Sequence, residues 1–315
     1  MASVIAADVP ADPRRTRTGS APRVPGRAAR RRDMTAGLLF VLPMLVLFVM
    51  FRAFPALGAI GLSFTNYKLS GDFDVVGLKN YADFFTSEVA RNALATTLLY
   101  AVIYVPLVLA VALGIALLLN HIVWGSGLFR SMMFLPYVTS FVLAGIIWTW
   151  LLSLEGPINA VVGALGQAPI PFLSGAQPLI LTSIASASVW HGYGYSMLIL
   201  LAGLKTIPEE LYESARIDGA TAWRQFRHIT LPLLRPSLFF VLVIETIAAF
   251  QVFDTAYVMT GGGPARASYS LVYFLYDSAF RYFNFGQAAA VGVVLFAIVL
   301  VLSLVQRLVL DRETA

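Results

Sequence analysis

The chain offers few side chains with chemistry of their own, and most lie inside apolar runs. Glu245 stands about eight residues into one such run, which at about 1.5 Å of helical rise per residue is about 12 Å from its start. An ionisable group at that depth in a bilayer costs at least a few kcal/mol unless it faces protein or water. Glu245 is therefore either bonded to a neighbouring helix or part of a polar pathway, with Ala249 and Val252 on its helical face. Asp254 falls on roughly the opposite face near the outer end, where it either reaches interfacial water or holds the Gly261-Gly262-Gly263-Pro264 turn, and a structural role is expected. Upstream, Trp190-His191-Gly192-Tyr193-Gly194-Tyr195 sets two glycines beside polar-edged rings. That composition suits stacking on sugar faces with hydrogen bonds to hydroxyls, or simple ring packing. Arg52 and Arg130 lie near run ends, where a long side chain can reach the interface.

Other chemistries find no residues. His121, His191 and His228 are scattered at different depths and there is no cysteine, so no metal site is expected. No G-x-x-x-x-G-K-[ST] loop, G-x-S-x-G elbow, H-E-x-x-H helix or close pair of intramembrane carboxylates occurs. The chain is expected to be no enzyme and to carry no cofactor.

The elements that must position these residues are membrane spans. Hydrophobic residues make up 58% of the 315 and charged ones 12%, against about 45–50% and about 25% in soluble domains. A hydrocarbon core takes about 20 apolar residues of helix. Six stretches qualify, at about 36–57, 93–119, 128–152, 178–204, 237–260 and 286–309. The expected fold is an all-α integral membrane protein of six transmembrane helices. Before it lies an Arg-rich tail, 1–33, read as disordered and cytoplasmic, with the transmembrane domain at 34–315. The tail lacks the interleaved aromatics of a nucleic-acid-binding segment, and the apolar run after it is too long for a cleaved signal. Placing both termini in the cytoplasm puts Lys205, Arg216, Arg224, Arg227, Arg235 and Arg312 inside with the tail, as the positive-inside rule requires.

The segment 205–235, between the fourth and fifth spans, is too long for a structureless connection. It reads as helix, turn, helix. Thr206 is placed to cap the first helix with Glu209 at the capping-box spacing and Pro208 in the first turn, and Gly219 stops it. A second short helix from Ala222 aligns Trp223, Phe226 and Ile229 until Pro232 and Pro236 break it.

The letters of this elbow narrow its meaning. Glu213-Ser214-Ala215, Asp218-Gly219-Ala220 and Ile229-Thr230-Leu231-Pro232 resemble the signature cytoplasmic loop of bacterial ATP-binding-cassette importer permeases, with Ser214 where Ala is usual. Val76-Gly77-Leu78-Lys79-Asn80-Tyr81, Phe134-Leu135-Pro136-Tyr137, the stretch from Trp148 to Asn159, and the stretch from Phe253 to Pro264 are similar to the carbohydrate uptake branch, the maltose and glycerol-phosphate type. The resemblance runs from about residue 36 to the C-terminus. It implies a permease subunit forming half of a translocation pathway for a sugar, oligosaccharide or glycerol-phosphate-type solute in the bacterial inner or plasma membrane. It implies a coupling helix in which Glu213, Ala215, Asp218, Gly219 and Ala220 meet the ATPase, and a solute pathway including Trp190, Gly192, Tyr195 and Glu245. The implied partners are a second permease, two ATP-binding subunits that hold ATP and Mg, and an extracytoplasmic solute-binding protein. Where the family's better-known site has small polar residues, this chain has Glu245, Ala249 and Val252, so the substrate does not carry over. The rival reading is a self-sufficient ion-coupled secondary transporter, for which an inverted repeat would be expected and is not found.

Overall fold

The computed structural model describes residues 27–69, 71, 73–121 and 125–311, with side chains described between 37 and 308. Every regular element among the described residues is helical; the only extended pairings are isolated bridges, Thr65 with Val75 and Lys68 with Asn284. The chain divides into two compact units, 1–56 and 57–315.

In the first unit, α1 (Arg27–Phe48) passes through a π-helical turn, Val49–Ala53, into the start of α2 (Phe54–Leu62). The wide turn closes with Phe54 N–H on Val49 C=O, immediately before Pro55. A proline cannot donate to the carbonyl four residues back and its ring crowds that carbonyl, so one wider turn lets the helix continue. The apolar side chains here are exposed, Phe40 at 87%, as lipid-facing residues must be. Helix α1 begins inside the stretch read as tail. Residues 1–26, with the expectation that they are disordered, lie outside the described residues, as do 122–124 of an expected inner connection and Arg312.

The second unit is organised around α8 (Gln177–Leu204), which packs along α4 (Glu88–Asn120) and touches α5 (Ser126–Val138), α6 (Phe141–Leu151), α11 (Leu231–Phe250) and α12 (Asp254–Thr260). Small side chains make that crowding possible. A Cβ on Gly194 would come within 2.7 Å of the Met133 carbonyl oxygen and 3.1 Å of Phe134 Cα, so α5 and α8 meet backbone to backbone there. Short helices α3 (Lys79–Thr86), α7 (Pro157–Ala164) and α13 (Leu271–Tyr276) build the connections, and α14 (Phe285–Asp311) closes the chain. In the first turn of α3, Asn80 Nδ2 donates to the carbonyls of Ser63 and Thr65, each at 2.8 Å, and Tyr81 Oη meets Ser63 Oγ at 2.6 Å. Asn80 and Tyr81 thus tie the start of α3 to the chain just after α2.

The structure revises the spans in three ways. Among the described residues, four helices are long and apolar enough to cross a membrane, or five if one bent pair is a single span. Helix α8 is not among them; it buries Ser183, Ser188, His191 and Ser196 among mostly apolar side chains. The expected third span is no straight helix. It breaks between α5 and α6 at Thr139 and Ser140, with a bend of 92°. The expected fifth span ends at Phe250, where the chain turns into α12, and it starts far earlier than expected: Ala222–Phe250 is one continuous 29-residue helical run. Pro232 and Pro236 do not break it. A π-helical turn, Phe226–Thr230, closes with Leu231 N–H on Phe226 C=O just ahead of Pro232, the same device as at Pro55.

Candidate functional site: a cavity at a helix break and a helical elbow

The break between α5 and α6 opens a cavity of about 600 Å³ against α4, α8, α11 and α12. Its size is that of a small-molecule site, about 300–1,000 Å³. At the break, Thr139 Oγ1 donates to Pro136 C=O at 2.7 Å, and Ser140 Oγ accepts from Val142 N–H at 3.3 Å to cap α6. The Thr139 carbonyl lies within 2.9 Å of His191 Nε2, which in the matching tautomer donates to it. His191 is buried, stacks on Phe141 with centroids 3.8 Å apart, and has no partner at Nδ1 among the described residues. Beside it Tyr137 and Tyr195 stack, 5.2 Å apart and 16° from parallel.

Glu245 borders the cavity from α11, 4% exposed. Tyr104 Oη donates to its Oε2 at 2.7 Å, and Ser196 Oγ donates to its Oε1. Glu245 is thus bonded to neighbouring helices and also lines the cavity. Tyr104 stacks on Tyr100, 5.5 Å apart and 10° from parallel. Ala249 and Val252 are buried in the apolar core with Tyr100 and Tyr104, while Ile244 and Ala248 border the cavity.

Of the residues named for the pathway, Gly192, Tyr195 and Glu245 line this one cavity. A Cβ on Gly192 would approach the Tyr104 hydroxyl to 3.2 Å, so the glycine leaves the Glu245 partner room. Trp190 is not brought there. It lies off the cavity with its ring edge-on to Trp148 at 6.3 Å, because two residues along a helix turn through about 200°. Asp254 does not hold the glycine turn. It is exposed in the cavity wall, with no hydrogen-bond or ion-pair partner among the described residues, and the turn is held by backbone bonds and by Thr260 Oγ1 with Ser268 Oγ at 2.6 Å.

The elbow is built from α9 (Glu209–Ile217) and α10 (Ala222–Gln225). Pro208, not Thr206, is the N-cap of α9; Thr206 Oγ1 donates back to Gly203 C=O at 2.8 Å. Gly219 stops the helix as expected, at φ +75°. Its N–H bonds Arg216 C=O at 3.1 Å and Ala220 N–H bonds Ala215 C=O at 2.8 Å, a Schellman ending that satisfies the last carbonyls. Thr221 then caps α10 through Arg224 N–H, and Tyr212 Oη meets Thr230 Oγ1 at 2.9 Å, fastening α9 to the base of α11. Ile217 at 87% and Trp223 at 67% exposure leave the tip apolar and bare.

Residues 107–314 match the family of the binding-protein-dependent transport system inner membrane component. The chain belongs to that family. It is 35% identical to the sn-glycerol-3-phosphate transport system permease protein of Agrobacterium fabrum over 273 residues, 85% of this chain and 92% of that one. It is 32% identical to the trehalose/maltose transport system permease protein of Thermococcus litoralis over 279 residues, 87% and 93% of the two. Its fold is like that of a bacterial alginate ABC transporter crystallised in complex with an alginate pentasaccharide-bound periplasmic protein, with TM-score 0.77, 23% identity, and 90% and 96% of the two chains covered.

For this permease, sequence reasoning missed Tyr104, Tyr137, Thr139, Ser140 and Phe141. Tyr104 gave no signal, being one ring in a long apolar helix. The Pro136-to-Ser140 stretch did give one, because a proline followed by adjacent hydroxyl residues inside an apolar run marks a place where backbone groups are freed and must be met by side chains. Among the described residues no group of His, Asp and Glu could hold a metal ion.

Proposed function

We propose that this chain is one of two pore-forming permease subunits of an ATP-driven, binding-protein-dependent importer for a sugar or related polyol. The observation that carries the proposal is identity above 30% across nearly the whole chain with transport permeases whose names specify glycerol 3-phosphate and trehalose or maltose. A 600 Å³ cavity walled by stacked tyrosines and hydroxyl groups supports a polyhydroxylated solute.

In this reading the chain crosses the membrane six times, counting the bent pair α5 and α6 as one span and α8 as another. At 28 residues α8 is about 42 Å long, enough for the purpose. Both termini are then cytoplasmic and residues 34–315 form the transmembrane domain. The elbow within 205–235 is the coupling helix, with Glu213, Ala215, Asp218, Gly219 and Ala220 at the joint with the ATPase. Its bare Ile217 and Trp223 give a partner apolar surface to cover. Gly192, Tyr195 and Glu245 line the solute pathway, and Trp190 supports it by packing. ATP and Mg belong to two separate ATP-binding subunits, because this chain has no phosphate loop. A second permease and an extracytoplasmic binding protein complete the importer. Nucleotide-driven closure would pull the elbow and change the side from which the cavity is open.

Sugar uptake into membrane vesicles tests the proposal. Accumulation should require internal ATP, persist when ion gradients are collapsed, and disappear in Gly219→Arg. Uptake driven by an ion gradient without ATP would overturn it.

A further inference from the structure

A second cavity, of about 360 Å³, lies between the elbow and the ends of α4 and α8. Glu209, Tyr212 and Arg216 share one face of α9 and form one side of it, while His121 and Lys205, the residues that follow α4 and α8, form another. None of the residues assigned to the ATPase joint lines it. The side chains of Lys205 and Arg216 have no hydrogen-bond or ion-pair partner among the described residues. Leu117 and His121 also border a shallow apolar groove of about 670 Å³ that runs along α4 past Leu118, Gly114 and Ala110. Leu118 is 69% exposed and a Cβ on Gly114 would meet nothing within 4 Å, so no described side chain fills the groove. From Ala110 to His121 the helix rises about 16 Å, close to the depth of one leaflet, about 15 Å, in a hydrocarbon core of about 30 Å.

From this continuity we infer that groove and cavity together hold one anionic phospholipid of the leaflet on the elbow's side, its acyl chain along α4 and its phosphate between Lys205 and Arg216. The inference rests on the reading of the elbow as cytoplasmic, the side on which anionic lipid meets juxtamembrane cations. The cavity alone would suit a soluble phosphate equally; an apolar groove of leaflet depth opening from it selects a lipid. Two features oppose an anion, the Glu209 carboxylate and the C-termini of α4 and α8. Glu209 lies in the first turn of α9, where the positive helix end offsets part of its charge. The closing carbonyls of α8, on Leu201, Gly203 and Leu204, are taken by the N–H groups of Lys205, Thr206 and Ile207. The end of α4 keeps about half a negative charge. Even with Glu209 counted in full, Lys205 and Arg216 leave the lining positive. A phosphate held there links the chain after α8 to α9, beside the Tyr212 and Thr230 contact that fastens the elbow to α11.

The test uses the purified complex containing this chain, in nanodiscs of phosphatidylcholine with or without phosphatidylglycerol, and counts the retained lipid by native mass spectrometry. Lys205→Gln should weaken phosphatidylglycerol retention about fivefold, the loss expected for one cation at an anionic lipid surface, and Lys205→Gln with Arg216→Gln about 25-fold. Both side chains are exposed and unpartnered among the described residues, so these variants should fold. Gly114→Leu, which fills the groove, should release the same lipid while the second permease stays in the complex. Free glycerophosphoglycerol, the headgroup without its chains, should not displace the lipid. Displacement by that headgroup would assign the cavity to a soluble phosphate and overturn the inference. Unchanged retention in the double variant, or loss of the second permease from Gly114→Leu, which would make the groove an interface between permeases, overturns it equally. Any of these outcomes with uptake still driven by ATP sinks this inference alone; retained lipid with uptake driven by an ion gradient sinks the importer reading alone.

Discussion

Glu245 bonds two neighbouring helices at the cavity wall, and replacing it by leucine isolates what those bonds contribute. The substitution strands two buried hydroxyls, Tyr104 Oη, which lies 2.7 Å from the carboxyl, and Ser196 Oγ. An unmet buried polar group costs about 1–3 kcal/mol in soluble proteins, while hydrogen bonds between helices in a bilayer average about 0.6 kcal/mol. The pair therefore sets a loss between about 1 and 6 kcal/mol. Glu245→Gln keeps one carbonyl acceptor and turns the other oxygen into a donor, which a hydroxyl accepts after rotating, so its loss should stay under about 1 kcal/mol. At about 2–4 °C per kcal/mol for a unit of 150–250 residues, the leucine variant should lower the melting temperature of the purified complex by at least about 2 °C and the glutamine variant by less than the leucine variant does. Adding Tyr104→Phe completes a double-mutant cycle, with a coupling of about 0.6 kcal/mol or more expected between the two positions. A leucine variant that melts at or above the wild-type temperature, or a vanishing coupling, would refute the assignment of Glu245 as the bonded centre of this wall.

Three other perturbations probe separate parts of the molecule. Gly219→Arg should abolish transport without loss of membrane insertion: nothing lies within 4 Å of a Cβ there, and the positive φ costs about 1–2 kcal/mol locally; normal uptake by a well-inserted variant would remove Gly219 from the coupling joint. Gly194→Ala should destabilise the complex by about 1–3 kcal/mol, read as a lower melting temperature, because its methyl group meets the Met133 carbonyl; an unchanged melting curve would mean that α5 and α8 are not in backbone contact. His191→Ala should leave the Thr139 carbonyl at the helix break unmet at a cost of about 1–3 kcal/mol, and His191→Gln, which restores an N–H donor, should recover much of it; equal stability of the two variants would contradict the role given to the histidine.

How far the sequence could be read depended on whether the deciding force was local. Gly219 ending α9 was legible because a left-handed residue after a short amphipathic helix is a backbone preference, and the structure gives it φ +75°. Gly192, Tyr195 and Glu245 were legible as residues too polar or too small for their surroundings, and they meet in one cavity. The 92° break at Thr139 and Ser140 was not read, since Pro136 sits within α5 and the hydroxyl residues that relieve the break look innocuous one at a time. The unbroken run through Pro232 was hidden for the opposite reason: proline is a reliable stop only where the helix cannot widen, and the π-helical turn before it removes the conflict. Trp190 lies off the cavity that Gly192 and Tyr195 line, because a helix shares such a stretch between two faces. Tyr104 reaches Glu245 across 141 positions of sequence, a contact only the tertiary packing of α4 on α11 creates.

The central claim is that this chain works as one permease of an ATP-driven assembly, and its most direct test is to recover the tagged chain from its native membrane in mild detergent and identify by mass spectrometry what accompanies it. A P-loop ATPase and a second multi-span permease should accompany it in stoichiometric amounts, and Gly219→Arg should reduce recovery of the ATPase but not of the second permease. A chain that repeatedly comes out alone, or with itself only, while still moving solute in vesicles, would contradict it.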